Sequence, residues 1–344
     1  MKYLLKYIAI FVTLFVCISL TGCALIGPLT ATSTTSLQVT TQTVPQNLFE
    51  TLITEPAEGM APVLNMIQVS AKSIDMVMYE LEDTQVENAL VLAEKRGIAV
   101  RVLLNEGYYG AQSSASSAAA YLYLQSGGVS VHWAPSYFAL THQKTLVVDG
   151  NQAIIMTFNL TPQYYGADRD FGVVDEDQKD VVAIETAFND DWQGIKDTTS
   201  AGDDLVWSPG ADTEILSLIN NSRKSLYIEN EEMADTAIIN ALIAAARRGV
   251  NVELVMTYSG DWTANFTKLS AAGVDIRTYA ADAPLYIHAK LILSDGISAL
   301  IGSQNFSASS LKYNRELGII LSDSNLLNSL QTTFQNDWIG ATPF

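Results

Sequence analysis

From about residue 48 onward, two apolar rhythms alternate along the chain. Short runs such as Ile74 to Tyr79, Ile98 to Leu104 and Val250 to Met256 are continuous or alternating in apolar residues and predict strands. Between them lie apolar-periodic stretches that end in Lys95-Arg96-Gly97 and Arg247-Arg248-Gly249. Basic residues in a last turn followed by Gly are how a helix C-terminus is built, so these stretches predict helices. Strands alternating with helices predict an α/β fold with a largely parallel central sheet.

The pattern is written twice. Ala71-Lys72-Ser73 opens a block that recurs as Arg223-Lys224-Ser225, and Ser73 to Gly97 and Ser225 to Gly249 are both 24 apart. Later positions repeat at a constant offset of 146: His142, Lys144, Asp149, Asn159, Arg169, Gly172, Phe188 and Trp192 return as His288, Lys290, Asp295, Asn305, Arg315, Gly318, Phe334 and Trp338. The repeat predicts two halves, residues 48–200 and 201–344, packed about a pseudo-two-fold axis so that paired motifs meet at the interface.

The residues before the repeat are of another kind. Lys2 and Lys6 precede an uncharged apolar run from Tyr7 to Leu20 and the segment Leu20-Thr21-Gly22-Cys23. A basic head, an apolar run and small residues before the cut predict a secretory signal over residues 1–22. Its ending resembles the lipobox of prokaryotic lipoproteins, which implies acylation at Cys23; an uncleaved membrane anchor is the alternative. Residues 23–47, rich in Thr and Ser, read as a flexible tether. The expectation is an extracytoplasmic body held at the membrane of a prokaryotic envelope. Cys17 and Cys23 are the only cysteines, so the body can form neither an internal disulfide nor a thiolate metal site.

Charge narrows the choice of partner. The chain carries 37 acidic and 19 basic residues, a formal net charge of −18, and loss of residues 1–22 with their two Lys makes it −20. Without a basic tract to release counterions from phosphates, sequence-blind binding of nucleic acid is disfavoured.

The paired motifs carry the candidate chemistry. His142-Gln143-Lys144-Thr145-Leu146-Val147-Val148-Asp149 and His288-Ala289-Lys290-Leu291-Ile292-Leu293-Ser294-Asp295 both read His-x-Lys-x4-Asp. In a strand, residues two apart share a face, so the imidazole and ammonium would address one anion together. Asn159 and Asn305 follow each Asp by ten residues, after Met156-Thr157-Phe158 and Gly302-Ser303-Gln304. Asp170 and Glu316 lie 28 residues past each His, where a carboxylate can hold the imidazole's second nitrogen.

On these motifs the chain resembles the phospholipase D superfamily, over roughly residues 60–340. The resemblance implies duplicated α/β/α halves with the active site at their interface. It also implies metal- and cofactor-independent phosphodiester chemistry through a phosphohistidine. One His attacks phosphorus, the other protonates the leaving alcohol, and water or another alcohol then attacks. By the same resemblance, His142 is the nucleophile and His288 the general acid, an order the near-symmetry leaves open. Lys144, Lys290, Asn159 and Asn305 bind phosphate, with Thr157 and Ser303 as further hydroxyl donors. Met156 in place of Gly is a departure, expected to narrow the approach or fill a lipid-facing gap.

Other residues have plainer readings. Asp149 and Asp295, each before a Gly, read as turn or ion-pair anchors. His132 lacks a repeat partner and reads as structural, and the two Phe/Trp pairs read as helix packing. Gly107-Tyr108-Tyr109-Gly110 and Tyr164-Tyr165 are candidate substrate loops. Asp175-Glu176-Asp177 and Glu229 to Glu232 read as solvated acidic faces rather than metal sites. The leading expectation is hydrolysis of a phospholipid headgroup. The alternatives are phosphatidyl transfer to an alcohol, as in cardiolipin synthases, a nuclease, and a non-catalytic anion-binding lipoprotein. Duplication makes a monomer sufficient.

Overall fold

The computed structural model describes residues 50–107, 115–197 and 201–344. The expected signal, Cys23 and tether therefore lie outside the described residues, as do Tyr108 to Gly110 of the first tyrosine loop.

The first half runs β1 (Glu50–Glu55), α1 (Ala61–Val69), β2 (Ser73–Met78), α2 (Thr84–Lys95), β3 (Ala99–Leu104), α3 (Ala115–Ser126), β4 (Ser130–Trp133), β5 (Thr145–Val148), β6 (Gln152–Met156), β7 (Asp168–Asp175) and α4 (Gln178–Gln193). The second half repeats it as β8 (Leu205–Ser208), α5 (Asp212–Asn221), β9 (Ser225–Glu229), α6 (Thr236–Arg247), β10 (Asn251–Thr257), α7 (Thr263–Ser270) and β11 (Asp275–Tyr279), with a short β12 (Tyr286–Ile287). It ends with β13 (Leu291–Ser294), β14 (Ser298–Gly302), α8 (Ala308–Lys312), β15 (Glu316–Leu321), α9 (Ser324–Gly340) and β16 (Thr342–Pro343). α2 and α6 start on Asp83 and Asp235, whose carboxylates accept backbone N–H groups of the first turn. Both end before the predicted glycines, Gly97 at φ 89° and Gly249 at φ 86°.

Each half has its own sheet, in the order β1-β7-β6-β5-β2-β3-β4 and β16-β11-β10-β9-β13-β14-β15-β8. The sheets are mixed rather than largely parallel as expected: β2-β3-β4 and β9-β10-β11 are parallel, but β5, β6 and β7 and their counterparts pair antiparallel. The reason is local. Asp149-Gly150 and Asp295-Gly296 all take positive φ, 55° to 69°, and such left-handed pairs close a tight hairpin.

Strand alternation sorts the core into three layers. Leu146, Val148, Ile154 and Met156 pack outward under α1 and α2, and Ile292 and Leu300 pack outward under α5 and α6. The opposite faces, Val147, Ala153, Ile155 and Phe171 from one half and Leu291, Leu293, Ile301 and Leu317 from the other, meet in one shared core. The two sheets therefore face each other across this core, with α1, α2, α5 and α6 outside. Helices α4 and α9 pack into it through Val181, Ile184, Leu327 and Leu330, and burial of this apolar seam drives the halves together. Met156 is fully buried in the first half's outer core, so it neither narrows an approach nor faces lipid.

Backbone also crosses between the halves. β12 pairs parallel with β7, Tyr286 to Asp168 and Ile287 to Arg169. The matching contact in the other direction is Thr141 to Arg315. Both His-x-Lys segments lie just before β5 and β13, not inside a strand as the same-face argument supposed. They are pinned instead by the opposite half. The amides of His142 and Gln143 both donate to the Arg315 carbonyl at 2.9 and 3.0 Å, and those of His288 and Ala289 to the Arg169 carbonyl at 3.3 and 2.8 Å.

Candidate active site

That pinning brings the next residue of each half against the other half's imidazole. His142 Nδ1 lies 2.8 Å from Glu316 Oε2, and His288 Nδ1 lies 2.9 and 3.0 Å from the two oxygens of Asp170. With Nδ1–H donating to a carboxylate, each ring is held with its other nitrogen, Nε2, available for chemistry, although that of His288 has Glu231 Oε2 3.5 Å away. Both rings open onto one cavity of about 650 Å³, which Asn159 and Asn305 also line.

Glu316 is fully buried and also accepts from Ser310 Oγ at 2.6 Å and Asn314 Nδ2 at 3.1 Å. Burial alone would raise its pKa, but His142 first, then Lys144 and the Ser310 hydroxyl, hold it below its usual value, so it stays ionised. Burial of the His142 imidazole lowers the pKa of that ring against the pull of Glu316. A neutral imidazole with its Nε2 lone pair exposed is the state a nucleophile needs.

The two Lys are buried behind the imidazoles. Lys144 Nζ donates to the His142 carbonyl at 2.7 Å, and Lys290 Nζ donates to the His288 carbonyl. Burial pushes the Lys144 pKa down to about 7, with Lys290 adding to the shift and Glu316 opposing it. Asn305 Oδ1 and Asn159 Oδ1 are buried without a hydrogen-bond partner.

Thr157 and Ser303, expected as phosphate donors, are fully buried and committed internally. Thr157 Oγ1 donates to Asp170 and accepts from the Phe171 amide at 2.9 Å, so it fixes the carboxylate that fixes His288. Ser303 Oγ accepts from the Leu317 amide at 3.2 Å. Asp149 and Asp295 are remote from the cavity lining. Asp149 accepts the amides of Ala71, Lys72 and Ser73 at 2.6 to 3.1 Å, and Asp295 those of Arg223, Lys224 and Ser225 at 2.7 to 3.1 Å. They tie the hairpin to the start of β2 and β9. His132 stacks on Trp192 at 3.8 Å, and Tyr164 and Tyr165 line the cavity.

Sequence reasoning missed three features. Glu231 is not on a solvated face: its Oε2 lies 3.2 Å from Lys290 Nζ, 3.3 Å from Asn305 Nδ2 and 3.5 Å from His288 Nε2. Burial would raise its pKa, but Lys290 and the two imidazoles hold it well below the carboxylate range. Tyr79, its counterpart one repeat earlier, sets its ring edge-on to His142 at 4.6 Å and beneath Lys144 at 5.0 Å. Asp191 and Asp337, also 146 apart, pair across the halves with Arg315 at 2.8 Å and Arg169 at 2.5 Å. Their recurrence at the common offset was the available signal. One trio, Asp168, Asp170 and His288, offers metal-ligand atoms within 4.8 Å of one another, but Asp170 and the His288 Nδ1 are already bonded together.

A family model described as "Cardiolipin synthase, PLD-like domain" matches residues 63–192 and again 215–338. Cardiolipin synthase 2 of Bacillus cereus is 24% identical over 335 residues, spanning 83% of this chain and 63% of its own length. A cardiolipin synthase of Listeria monocytogenes is 23% identical over 321 residues, spanning 79% and 65%. The chain thus spans less than two thirds of the length of these curated relatives. Among solved structures, a phosphatidylserine synthase of Haemophilus influenzae aligns with a TM-score of 0.68 over 87% of this chain and 88% of that one, at 13% identity. A polyphosphate kinase of Porphyromonas gingivalis aligns with a TM-score of 0.65 over 84% and 50%, at 15% identity. These structures share the fold, and the double match of the family model, one copy in each half, places the chain in the phospholipase D superfamily.

Proposed function

We propose that the protein transfers a phosphatidyl group from a phospholipid to an alcohol. The observation that carries the chemistry is the reciprocal pair of imidazole–carboxylate bonds, His142 to Glu316 and His288 to Asp170, with both rings on one cavity. His142 Nε2 attacks phosphorus and a P–N bond forms as the P–O bond to the leaving alcohol breaks, with His288 supplying that alcohol's proton. The acceptor alcohol then attacks phosphorus, gives its proton to His288 and releases His142. Lys144, Lys290, Asn159 and Asn305 stabilise the charge on the phosphate oxygens.

The sequence reading put hydrolysis first. Relatives named as cardiolipin and phosphatidylserine synthases favour transfer, in which an alcohol replaces water in the second step. We place the body outside the cytoplasm, at a lipid surface, through a lipoprotein signal over residues 1–22 and acylated Cys23. Among the described residues, no helix is long and apolar enough to cross a membrane.

The test is to incubate the full chain, without added metal, with phosphatidylglycerol and phosphatidylcholine vesicles plus an excess of a primary alcohol, and with single-stranded DNA. A phosphatidyl-alcohol product supports transfer, whereas phosphatidate alone means hydrolysis. No cleavage, or wild-type rates in His142→Ala and His288→Ala, refutes the reading.

A further inference from the structure

Among the positions at which the two halves differ around the cavity, one sets an aromatic ring against a carboxylate. Beside His142 and Lys144 stands the ring of Tyr79; beside His288 and Lys290 stands the carboxylate of Glu231. The fold does not require a carboxylate there, since the other half is built with Tyr. A single oxygen, Glu231 Oε2, touches Lys290 Nζ and Asn305 Nδ2, two of the donors assigned above to the phosphate oxygens, and lies 3.5 Å from Nε2 of His288, assigned above to the leaving alcohol's proton. The carboxylate thus sits where the substrate's phosphate must go.

When phosphate takes those donors, Glu231 loses its counter-charge while still inside the cavity. An unpaired carboxylate in a partly buried site is costly, so a partner must arrive with the substrate. The lining supplies none. Among the described residues it contains no Lys or Arg, while Glu55, Glu80, Asp168 and Glu232 add further carboxylates and Tyr164, Tyr165 and Tyr286 add aromatic faces. Carboxylates and ring faces together are a setting for an ammonium group.

We infer that Glu231 makes this site select a phosphodiester whose leaving or accepting alcohol carries a positive charge. The exchange conserves ion pairs: phosphate replaces the carboxylate on Lys290, and the ammonium replaces Lys290 on the carboxylate. An uncharged alcohol such as glycerol leaves Glu231 without a partner. The inference rests on the proposed phosphodiester chemistry at this site and names its substrate class.

The experiment compares soluble diesters that differ only in one alcohol: glycerophosphocholine, glycerophosphoethanolamine and glycerophosphoglycerol. Binding to the full chain is measured by calorimetry for wild type, Glu231→Gln and Glu231→Tyr, the last taking the first half's residue. Wild type is expected to bind the two ammonium-bearing diesters about tenfold more tightly than glycerophosphoglycerol, and both variants to reduce that ratio below about twofold. Equal affinities in wild type, no binding of the ammonium-bearing diesters, or a ratio unchanged in folded variants overturns the inference. Turnover of vesicles of the three matching phospholipids separates the failures. A protein that turns over none of them lacks the proposed function, while the binding ratio still decides the role of Glu231. Binding of the soluble diesters without turnover of the vesicles identifies a free diester as the source.

Discussion

Glu316 orients His142 from 174 residues away, Nδ1 to Oε2 at 2.8 Å, and it belongs to the opposite half of the molecule. Asp170 does the same for His288 across 118 residues. Each half therefore supplies an imidazole and the carboxylate that aligns the other half's imidazole. Neither half alone holds a complete acid–base pair, which ties the chemistry to the seam between the two sheets.

Replacing Glu316 by Gln, or Asp170 by Asn, keeps size but removes the acceptor that fixes the Nδ1–H tautomer. The expected loss in kcat is about 10³–10⁴-fold with KM little changed, because the phosphate donors remain. Steady-state kinetics on a phospholipid substrate checks this, with circular dichroism confirming the fold. A fall in KM-dependent terms alone would mean that the carboxylates bind substrate instead.

Lys144 sets an alkaline limit. Its pKa is pushed down to about 7 by burial, so its charge is present below that pH and lost above it. kcat/KM is expected to fall as pH rises past about 7, as phosphate loses a cation. In Lys144→Arg the charge persists at all accessible pH. The alkaline limb should therefore move up by at least about one pH unit, even if the maximum is lower. A limb that stays put belongs to another group.

What was legible in the sequence is what repeats. The constant offset exposed His142, Lys144, Asn159 and Asp170 with their partners, and helix ends at Gly97 and Gly249 followed from local chemistry. Strand direction was missed because it was read from the apolar pattern alone, whereas the signal for the β5–β6 and β13–β14 hairpins lies in Asp149-Gly150 and Asp295-Gly296, an Asp-Gly pair that takes positive φ readily. Thr157 and Ser303 sit in the motif, but burial turns their hydroxyls inward to Asp170 and the Leu317 amide. Glu231 escaped notice because it breaks the repeat: its counterpart is Tyr79, and a lone acid among acids looks like solvated surface until Lys290 is seen beside it.

The ion pair between Arg315 and Asp191 joins the halves with both side chains only 3% exposed. Arg315→Leu leaves a buried carboxylate without its partner and should cost about 3–5 kcal/mol. The double variant Arg315→Leu/Asp191→Leu removes that penalty and should recover part of the loss, because buried pairs are often replaceable by apolar groups. Denaturant unfolding of the three proteins tests it. A double variant no more stable than Arg315→Leu would show that the pair contributes more than the relief of desolvation.

The Asp149 and Asp295 carboxylates give stability its own acid dependence. Each accepts three successive backbone amides, which pull its pKa below the ordinary aspartate value against a partial burial that raises it. A depressed folded pKa means that the unfolded chain binds the proton more readily. The stabilisation is then complete above the unfolded value, near 4, and is lost as pH falls through the lower folded value. Asp149→Asn keeps the left-handed turn, which Asn tolerates, but weakens the three amide bonds, for a loss of about 1–3 kcal/mol at pH 7. Other carboxyls pull the opposite way: burial raises Glu55 and Asp175 to about 7, so the whole protein's profile is a sum of both signs. The difference between wild type and Asp149→Asn isolates the one group. Urea unfolding from pH 7 to pH 2 should show that difference constant above about pH 4 and shrinking below it. A difference independent of pH throughout would assign the anchoring to the shape of the side chain rather than to its charge.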